Sequence, residues 1–449
     1  MSVASKTRSF PRSCLLRTAV IALRSPGVPT GTRQRFTAPG LQHLVRMLVA
    51  AILLLLCLAL PGSSQGSLRS TEFMSAANDG FAKIYNLDFD AAGAVFTGLA
   101  KRYPDHPAPP LYQATLVWLR YLDDRHELAL DRFVHPEYFT HATTHPMDPA
   151  AHAQFLELVT ASRTLAERRL KTNPQDEDAR YYRGAGEGLA AAFSITVDRS
   201  YLGAFRHGQQ AYAIESRLMQ DDGRYFDASM LAGLYDYIGD EVPWYLRWLA
   251  SGNKARGLQS VNLTVEKGAW ISDGARIVRL AMLAREGRQP EALADAMALS
   301  GKYPRNYQFQ IARAQLLDRM GRREEADNTY LQILRFAEEG KPNYQRLKVA
   351  ALSWEFANRQ LATQPQAALA RYQSLISNTA VEEKWRVMAL LQSGCALDLL
   401  GRREEAVRQY RAVLGMKEYE NSHAHASRYL QAPFSVSGRS IALPRISAE

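Results

Sequence analysis

A hexapeptide that occurs twice without change places the strongest constraint on how this chain can fold. The sequence Gly-Arg-Arg-Glu-Glu-Ala stands at residues 321–326 and again at residues 401–406. A tyrosine follows each terminal alanine by four residues, Tyr330 in one copy and Tyr410 in the other. Two further alanines fall in the same register, Ala292 and Ala368. The steps are 34, 42 and 38 residues, which predicts an array of stacked supersecondary units.

Residue size within the unit predicts a pair of packed helices. Twelve residues before the alanine stands a small residue, Ala314 in one copy and Gly394 in the other, which lets the second helix approach the first closely. The glycine that opens the hexapeptide supplies the turn, and the aromatic residue fills the gap to the next hairpin. Each hairpin leaves an apolar face that only its neighbour can cover, so the hairpins are expected to stack.

A similar unit lies near the other end of the chain. Gly80, Ala92 and Phe96 repeat the spacing of the small residue, the alanine and the aromatic residue, and Pro104 closes the unit. Proline is well suited to that place because it cannot continue a helix.

The small–alanine–aromatic–proline pattern and the 34-residue step resemble the tetratricopeptide repeat (TPR). The resemblance covers residues 275–416 and 72–105, although tryptophan and tyrosine are missing from the expected positions of the first helix. It implies an all-α, superhelical solenoid of antiparallel helix pairs, with a concave surface that binds a peptide or another protein. It implies no catalytic activity and no cofactor.

The middle of the chain, residues 147–270, has apolar residues at helical spacing throughout. Asp148 and Pro149 predict an N-cap and a first helical residue, and that helix should run to about Lys171. Further helices are predicted at about 177–193, 199–219, 225–238, 241–250 and 254–267.

Short motifs in this region resemble a second group of proteins. The motifs are Asp227-Ala228, Tyr235-Asp236-Tyr237, Pro243, Gly257-Leu258 and the stretch from Gly257 to Tyr303-Pro304-Arg305-Asn306. They look like the long helical-repeat proteins grouped with eukaryotic tetratricopeptide repeat protein 39 and its bacterial relatives. This resemblance also implies no enzyme.

Charge is concentrated at the N-terminus. The chain has a net charge of +10, but residues 1–64 contain eight basic and no acidic residues, so the remainder holds 47 basic and 45 acidic residues. A nearly neutral body gives no field for holding a polyanion, so we expect no nucleic-acid partner.

The same N-terminal region has the features of a targeting sequence. Arg46 precedes the uncharged run Leu48–Leu60, and Pro61-Gly62-Ser63-Ser64 follows it, which is the order of a cleaved secretory signal. Thirteen residues are fewer than the roughly 20 needed to span a bilayer. An uncleaved run that tethers the protein to a membrane is the alternative. Residues 1–46 are long and acid-free, which fits either an organelle transit peptide or translation that starts at Met47.

Four features of the sequence have residue types that can form a site of chemistry. Glycines within 183–188 fit close helix packing better than a phosphate loop, because helical sequence stands on both sides. His135, His141, His145 and His152 match no zinc spacing. The paired carboxylates of the two hexapeptides lie beside arginines and are expected to be solvated. Cys395, the one cysteine beyond residue 64, is expected to be buried. No metal, cofactor or catalytic residue is therefore predicted.

The densest aromatic cluster is Pro243-Trp244-Tyr245-Leu246-Arg247-Trp248-Leu249. Trp244 and Trp248 are one helical turn apart, so they share a face. Packing between hairpins is the simpler interpretation. Partner binding or anchoring at a membrane interface is the functional alternative, and it assigns Trp244, Tyr245 and Trp248 as partner-binding residues.

The sequence thus predicts an exported, non-catalytic scaffold of the bacterial periplasm or cell envelope, with a protein or peptide partner. The alternatives are a membrane-tethered assembly component, with membrane contact through residues 48–60, and an enzyme or carbohydrate-binding protein with a site in 106–270. The predicted parts are an N-terminal extension (1–46), a signal (47–64), TPR-like helices with a loop (65–145), irregular hairpins (146–270), TPR-like repeats (271–430) and a flexible tail (431–449).

Overall fold

The computed structural model describes residues 68–125, 127–128, 146–240 and 252–436. Regular structure within these residues consists of seventeen α-helices and one 3-10 helix, Tyr344–Arg346, and contains no strand. Each helix packs against the next one along the chain. The predicted all-α class and the TPR-like stacking of helix pairs are thereby confirmed.

The helices in chain order are α1 (Thr71–Tyr85), α2 (Phe89–Arg102), α3 (Ala108–Asp124), α4 (Pro149–Thr172), α5 (Glu177–Thr196), α6 (Tyr201–Asp221), α7 (Ala228–Asp240), α8 (Lys254–Lys267), α9 (Ser272–Arg285), α10 (Gln289–Lys302), α11 (Tyr307–Arg319), α12 (Arg323–Glu338), α13 (Val349–Gln360), α14 (Pro365–Ser377), α15 (Glu383–Leu399), α16 (Arg403–Leu414) and α17 (Ser422–Gln431).

The glycine of each hexapeptide makes the turn inside its hairpin. Gly321 and Gly401 both have φ of +74°, a left-handed conformation that costs glycine little. The following arginine N–H reaches back over the helix end, from Arg322 to the Leu317 carbonyl at 2.9 Å. This pattern satisfies carbonyls that the end of the first helix leaves unpaired. The predicted turn is confirmed.

The small residue and the aromatic residue of a unit pack on each other. A Cβ on Gly80 would lie 2.2 Å from Cε1 of Phe96, and one on Gly394 would lie 2.4 Å from Cε1 of Tyr410. Tyr410 also contacts the next helix, with its ring 5.5 Å from that of Tyr429 in α17. The aromatic residue therefore fills the gap to the next element, as predicted, and it needs the small residue of its own hairpin to do so.

The middle of the chain follows its predicted helices closely. The five helices α4 to α8 lie within a few residues of the ranges predicted for them. Asp148 caps α4, since its carboxylate accepts the backbone N–H groups of Ala150 and Ala151, both at 3.1 Å. The helix predicted at 241–250 lies outside the described residues, as do the tail from residue 437 onward and the whole N-terminal region up to residue 67.

The first hairpin packs against residues more than 200 positions away. The side-chain amide of Asn306 donates to the Tyr85 carbonyl at 2.9 Å, and that of Asn343 donates to the Asn86 carbonyl at 2.6 Å. These bonds hold the turn between α1 and α2 against the turn between α10 and α11 and against the 3-10 helix. Repeat spacing describes only contacts between neighbours, so it did not predict this packing.

Tyr85 of the first hairpin also packs against α9 and against the end of α10. The Tyr85 hydroxyl would lie 3.0 Å from a Cβ on Gly274, near the start of α9, and the Tyr85 ring is 5.2 Å from that of Tyr303. Helix α9 is the first helix of the unit that contains Ala292. The first hairpin of the described chain therefore packs against the start of α9. The domain boundaries given above stay predictions.

His106 holds the start of α3 to the beginning of the described chain. Its ring stacks on Phe73 with centroids 3.8 Å apart. Its Nδ1 accepts the Ala108 N–H at 3.1 Å, so the proton sits on Nε2, which donates to the Leu68 carbonyl at 3.0 Å. Burial is the main cause that lowers the pKa of His106 from 6.5 to about 4. Its neutral form is therefore the one that the fold stabilises.

Acid is expected to destabilise the protein through this group. The unfolded chain takes up the proton near pH 6.5, whereas the folded chain takes it up only near pH 4. The stability that neutral His106 provides is complete above pH 6.5 and is lost progressively as the pH falls from about 6.5 to about 4, which amounts to about 3 kcal/mol. Urea denaturation at a series of pH values measures it. In His106→Gln, this contribution to the pH dependence of the free energy of unfolding should be absent. In His152→Gln, which changes a half-exposed histidine, it should remain. Equal slopes in wild type and His106→Gln would contradict the assignment.

Candidate functional site

The predicted aromatic residues Trp244, Tyr245 and Trp248 lie outside the described residues, so their predicted role is untested. The residues on either side are described. Helix α7 ends at Asp240, and the Asn253 N–H donates to the Asp236 carbonyl at 3.0 Å. The described residues that flank 241–251, Asp240 and Asn253, are therefore both at the C-terminal end of α7.

An apolar surface lies at the same end of α7. Tyr201 and Leu202 at the start of α6 are 53% and 79% exposed, Ile238 near the end of α7 is 55% exposed, and Phe205 is half-buried. We call these four residues the α6–α7 edge. Apolar side chains that are exposed together, rather than singly, are typical of interaction sites.

Packing between α6 and α7 shows why these residues line up. The ring of Tyr235 in α7 stacks on that of Tyr212 in α6 with centroids 4.7 Å apart, and it would touch a Cβ on Gly208 at 3.4 Å. Tyr201 lies two turns before Gly208, and Ile238 lies one turn after Tyr235. Because the two helices are antiparallel, going back along α6 from Gly208 to Tyr201 and forward along α7 from Tyr235 to Ile238 leads towards the same end of the helix pair. Tyr201 and Ile238 therefore lie on the same side of the Tyr212–Tyr235 stack, at the start of α6 and near the end of α7.

The sequence had shown one sign of this surface. Leu202 and Phe205 belong to the apolar series that predicted α6, and periodicity alone assigns such residues to the core. Helical spacing tells which residues share a face, but not how far the neighbouring helix extends along it. The exposure of the first turn of α6 is visible only in the packed structure.

A buried carboxylate joins three helices beside this edge. Glu187 in α5 contacts His207 Nδ1 in α6 at 2.7 Å and Arg163 Nη2 in α4 at 2.9 Å, and only 4% of its side chain is exposed. Two donors from two helices satisfy this carboxylate, which is how a buried charge is made tolerable. The cluster stabilises the packing of α4, α5 and α6, and both of its partners, His207 and Arg163, come from the protein itself.

The glycines of 183–188 lie within α5 and serve close packing, as predicted. A Cβ on Gly184 would lie 2.1 Å from Oε1 of Glu215 in α6, and one on Gly188 would lie 2.8 Å from the Leu231 side chain in α7. Burial raises the pKa of the Glu215 carboxyl well above its usual range. A phosphate loop would need a strand before these glycines, and helix stands there instead.

The other sequence candidates give no site of chemistry among the described residues. Of the four histidines, only His152 is described, and its Nε2 lies 2.9 Å from Asp198 Oδ1. The described ranges contain no group of three metal-ligating side chains. Cys395 is 1% exposed, as predicted. Arg322 and Glu325 form an exposed two-bonded pair at 2.7 Å, as Arg402 and Glu405 do.

A shallow cavity of about 570 Å³ lies on the outer side of α4. Seven side chains of that helix line it: Leu156, Glu157, Thr160, Ala161, Thr164, Leu165 and Arg168. Glu157 and Arg168 are its ionisable groups, and they stand three turns apart. In the part of the chain that is described, no helix is long and apolar enough to cross a membrane.

Among known proteins, this chain is similar only in fold to solved structures of other helical proteins. No protein-family model and no curated protein matches the chain. A crystal structure of yeast Tom70 is 12% identical over 80% of this chain and 88% of that one, with a TM-score of 0.32. A human IFIT1 dimer with PPP-AAAA is 15% identical over 83% of this chain and 80% of that one, with a TM-score of 0.35. Superpositions this loose carry no argument about function. The resemblance to tetratricopeptide repeat protein 39 gains no support.

The helices and their contacts define the structural class of the protein. The chain is an all-α protein with a TPR-like fold, in which consecutive helices pack as antiparallel pairs. The exposed apolar edge of α6 and α7 is the feature of its described surface that most resembles a binding site.

Proposed function

We propose that this protein is an exported, non-catalytic scaffold that binds an apolar segment of a protein partner at the α6–α7 edge. The observation that supports this most is the exposure of Tyr201 and Leu202 at the start of α6 and of Ile238 at the end of α7. Leaving such side chains in water is unfavourable, by roughly 25 cal/mol for each Å² of apolar surface. A partner that covers them gains that free energy, and aromatic residues are frequent among those that dominate binding.

The 241–251 segment strengthens the proposal through its sequence. It carries Trp244, Tyr245 and Trp248, and the described residues that flank it, Asp240 and Asn253, adjoin the C-terminal end of α7. We assign these three residues to the same binding surface. Aromatic side chains combine a large apolar area with few rotatable bonds, so ordering them on binding costs little entropy.

A comparative capture experiment tests the binding surface. Immobilised wild-type protein and the Leu202→Arg and Met297→Arg variants are each incubated with cell-envelope extract, and the bound proteins are compared. Met297 is 49% exposed on α10, so it is a matched control for introducing a charge at an exposed apolar position. We expect a partner retained by wild type and Met297→Arg to fall at least about tenfold with Leu202→Arg, because an arginine must be desolvated in the interface. Equal retention by all three would contradict the edge as the site.

Export to the periplasm or cell envelope is the second part of the proposal. Its support is the order of Arg46, the apolar run Leu48–Leu60 and Pro61-Gly62-Ser63-Ser64. The alternative is a protein tethered by an uncleaved Leu48–Leu60. Fractionation with N-terminal sequencing distinguishes them: a soluble species that begins near Gln65 supports export and cleavage, whereas a membrane-bound species that retains the run supports tethering.

An enzyme or carbohydrate-binding site in 106–270 would call for a deep polar cavity with converging titratable groups. The cavity on α4 is open, and the two ionisable groups in its lining are far apart. Glu187 is already paired with His207 and Arg163. These observations favour the scaffold over the enzyme.

A further inference from the structure

Two residues before the first helix contact parts of the fold that lie far away in the sequence. Leu68 is buried, and its carbonyl accepts Nε2 of His106, in the turn before α3, at 3.0 Å. The next residue, Arg69, reaches the start of α5, where its Nε lies 2.7 Å from Oδ1 of Asp178. An apolar side chain, a backbone carbonyl and a guanidinium are thus all engaged, so this short segment is anchored in the packed structure.

The guanidinium of Arg69 also lies over aromatic rings from two other turns. Its Cζ is 4.2 Å from the ring centre of Tyr225, between α6 and α7, and 5.7 Å from that of Trp270, between α8 and α9. The Tyr225 hydroxyl donates to the same Asp178 oxygen at 2.8 Å. Carboxylate and aromatic contacts of one guanidinium strengthen each other where water is partly excluded. This arginine therefore joins α5 to the turns that precede α7 and α9.

The segment can leave this position without breaking a helix. Leu68 and Arg69 precede α1, whose N-cap is Ser70, with a hydroxyl that accepts the Phe73 N–H at 3.3 Å. The contacts given above are made by side chains and by one carbonyl, and none of them belongs to a helical ladder. Local opening of this kind needs less free energy than global unfolding. The two residues therefore have the properties of a latch.

We propose that Leu68 and Arg69 form an N-terminal latch, which sets the point at which proteolytic trimming of the folded chain from its N-terminus stops. Whether a protease can cut near a terminus depends on the burial and hydrogen bonding of the backbone there. A bond beside either anchored residue is therefore protected while the latch is closed. The latch involves none of the residues of the α6–α7 edge and does not require export.

Trypsin tests the latch directly, because the basic residues are well spaced. No lysine or arginine occurs between Arg46 and Arg69, so cleavage from the N-terminal side gives a chain that begins at Met47 and then one that begins at Ser70. We expect the first product to persist. Cleavage after Arg69 in the folded full chain should be at least about 100-fold slower than in a synthetic peptide of residues 65–74, because its rate follows the small open population. Equal rates in protein and peptide would overturn the proposal.

A variant that removes one charge identifies the contact responsible. Asp178→Asn weakens the hold on the guanidinium and leaves Arg69 for trypsin, so cleavage there should be about tenfold faster than in wild type. Asp90→Asn is the matched control, since Asp90 pairs with Arg120 at the surface and its side chain is 92% exposed. It should change the rate less than about twofold. An unchanged rate in Asp178→Asn, or an equal increase in Asp90→Asn, would contradict the latch. Circular dichroism shows that each variant is folded.

The N-terminus of the native protein gives an independent test. We expect N-terminal sequencing to find a chain that begins at or before Leu68, and a native chain that begins at Ser70 or later would overturn the proposal. A chain that begins ahead of Leu68 but is recovered outside the cell envelope would contradict export and leave the latch supported.

Discussion

Replacing Asp227 with alanine is expected to lower the free energy of unfolding by about 4 kcal/mol. The Asp227 carboxylate is 2% exposed and accepts three consecutive backbone N–H groups, those of Ala269 at 3.0 Å, Trp270 at 2.8 Å and Ile271 at 3.1 Å. These donors belong to the turn between α8 and α9, and alanine would remove their acceptor, which leaves the buried Trp270 N–H and the part-buried Ala269 and Ile271 N–H groups unpaired. Each such group costs about 1–3 kcal/mol. The shift in the urea midpoint, followed by circular dichroism, measures the effect.

The conservative variant Asp227→Asn separates hydrogen bonding from packing. Its amide keeps one oxygen for the Trp270 and Ile271 donors and loses the acceptor for Ala269, so its loss of stability should be intermediate. The negative charge also disappears, and bonds to a charged acceptor are the stronger ones. If Asp227→Ala were within about 1 kcal/mol of wild type, the three hydrogen bonds would not be what holds this turn.

Replacing Gly257 with alanine is expected to cost about 3 kcal/mol. A Cβ on Gly257 in α8 would lie 2.6 Å from the carbonyl oxygen of Gly233 in α7 and 2.8 Å from the backbone nitrogen of Tyr237. The reverse contact is equally close, since a Cβ on Gly233 would lie 2.6 Å from the Gly257 carbonyl oxygen. Because backbone atoms cannot rotate away as side chains do, the two helices must move apart.

A glycine in open space is the control for this prediction. Gly98 in α2 has nothing within 4 Å of the position of an added Cβ. Gly98→Ala is therefore expected to stabilise the protein by about 0.5–1 kcal/mol, because alanine favours helix and restricts the unfolded chain. If Gly257→Ala raised the urea midpoint as Gly98→Ala should, the crossing of α7 and α8 would be looser than the structure shows.

The sequence predicted well those features that depend on neighbours in the chain. The hexapeptide gave the turns at Gly321 and Gly401, and the twelve-residue spacing gave the contact of Gly394 with Tyr410. The cap at Asp148 and the limits of α4 to α8 also followed from local patterns. In each case one helical turn or one hairpin holds all the atoms involved, so periodicity and residue size suffice.

The candidate site was only partly accessible from the sequence. The aromatic cluster around Trp244 directed attention to the segment after α7, and the described residues that flank it, Asp240 and Asn253, adjoin the C-terminal end of α7. The edge itself was not predicted, because Leu202 and Phe205 have only the helical spacing that buried and exposed apolar residues share. Whether a helix face is covered depends on the length and position of its neighbour, which no pattern within one helix contains.

The sequence by itself therefore determined the all-α class, the period of the hairpins, their turns and their internal packing, because these arise from interactions within about 40 residues. Only the tertiary structure decided which distant segments meet. Asn306 binds the turn after α1 across 221 positions, and Asp227 binds the turn before α9 across more than 40. Each of these contacts is made by a single polar side chain in a loop whose local sequence has no pattern that marks its partner. A hydrogen bond between two such loops forms only once the helices between them have packed.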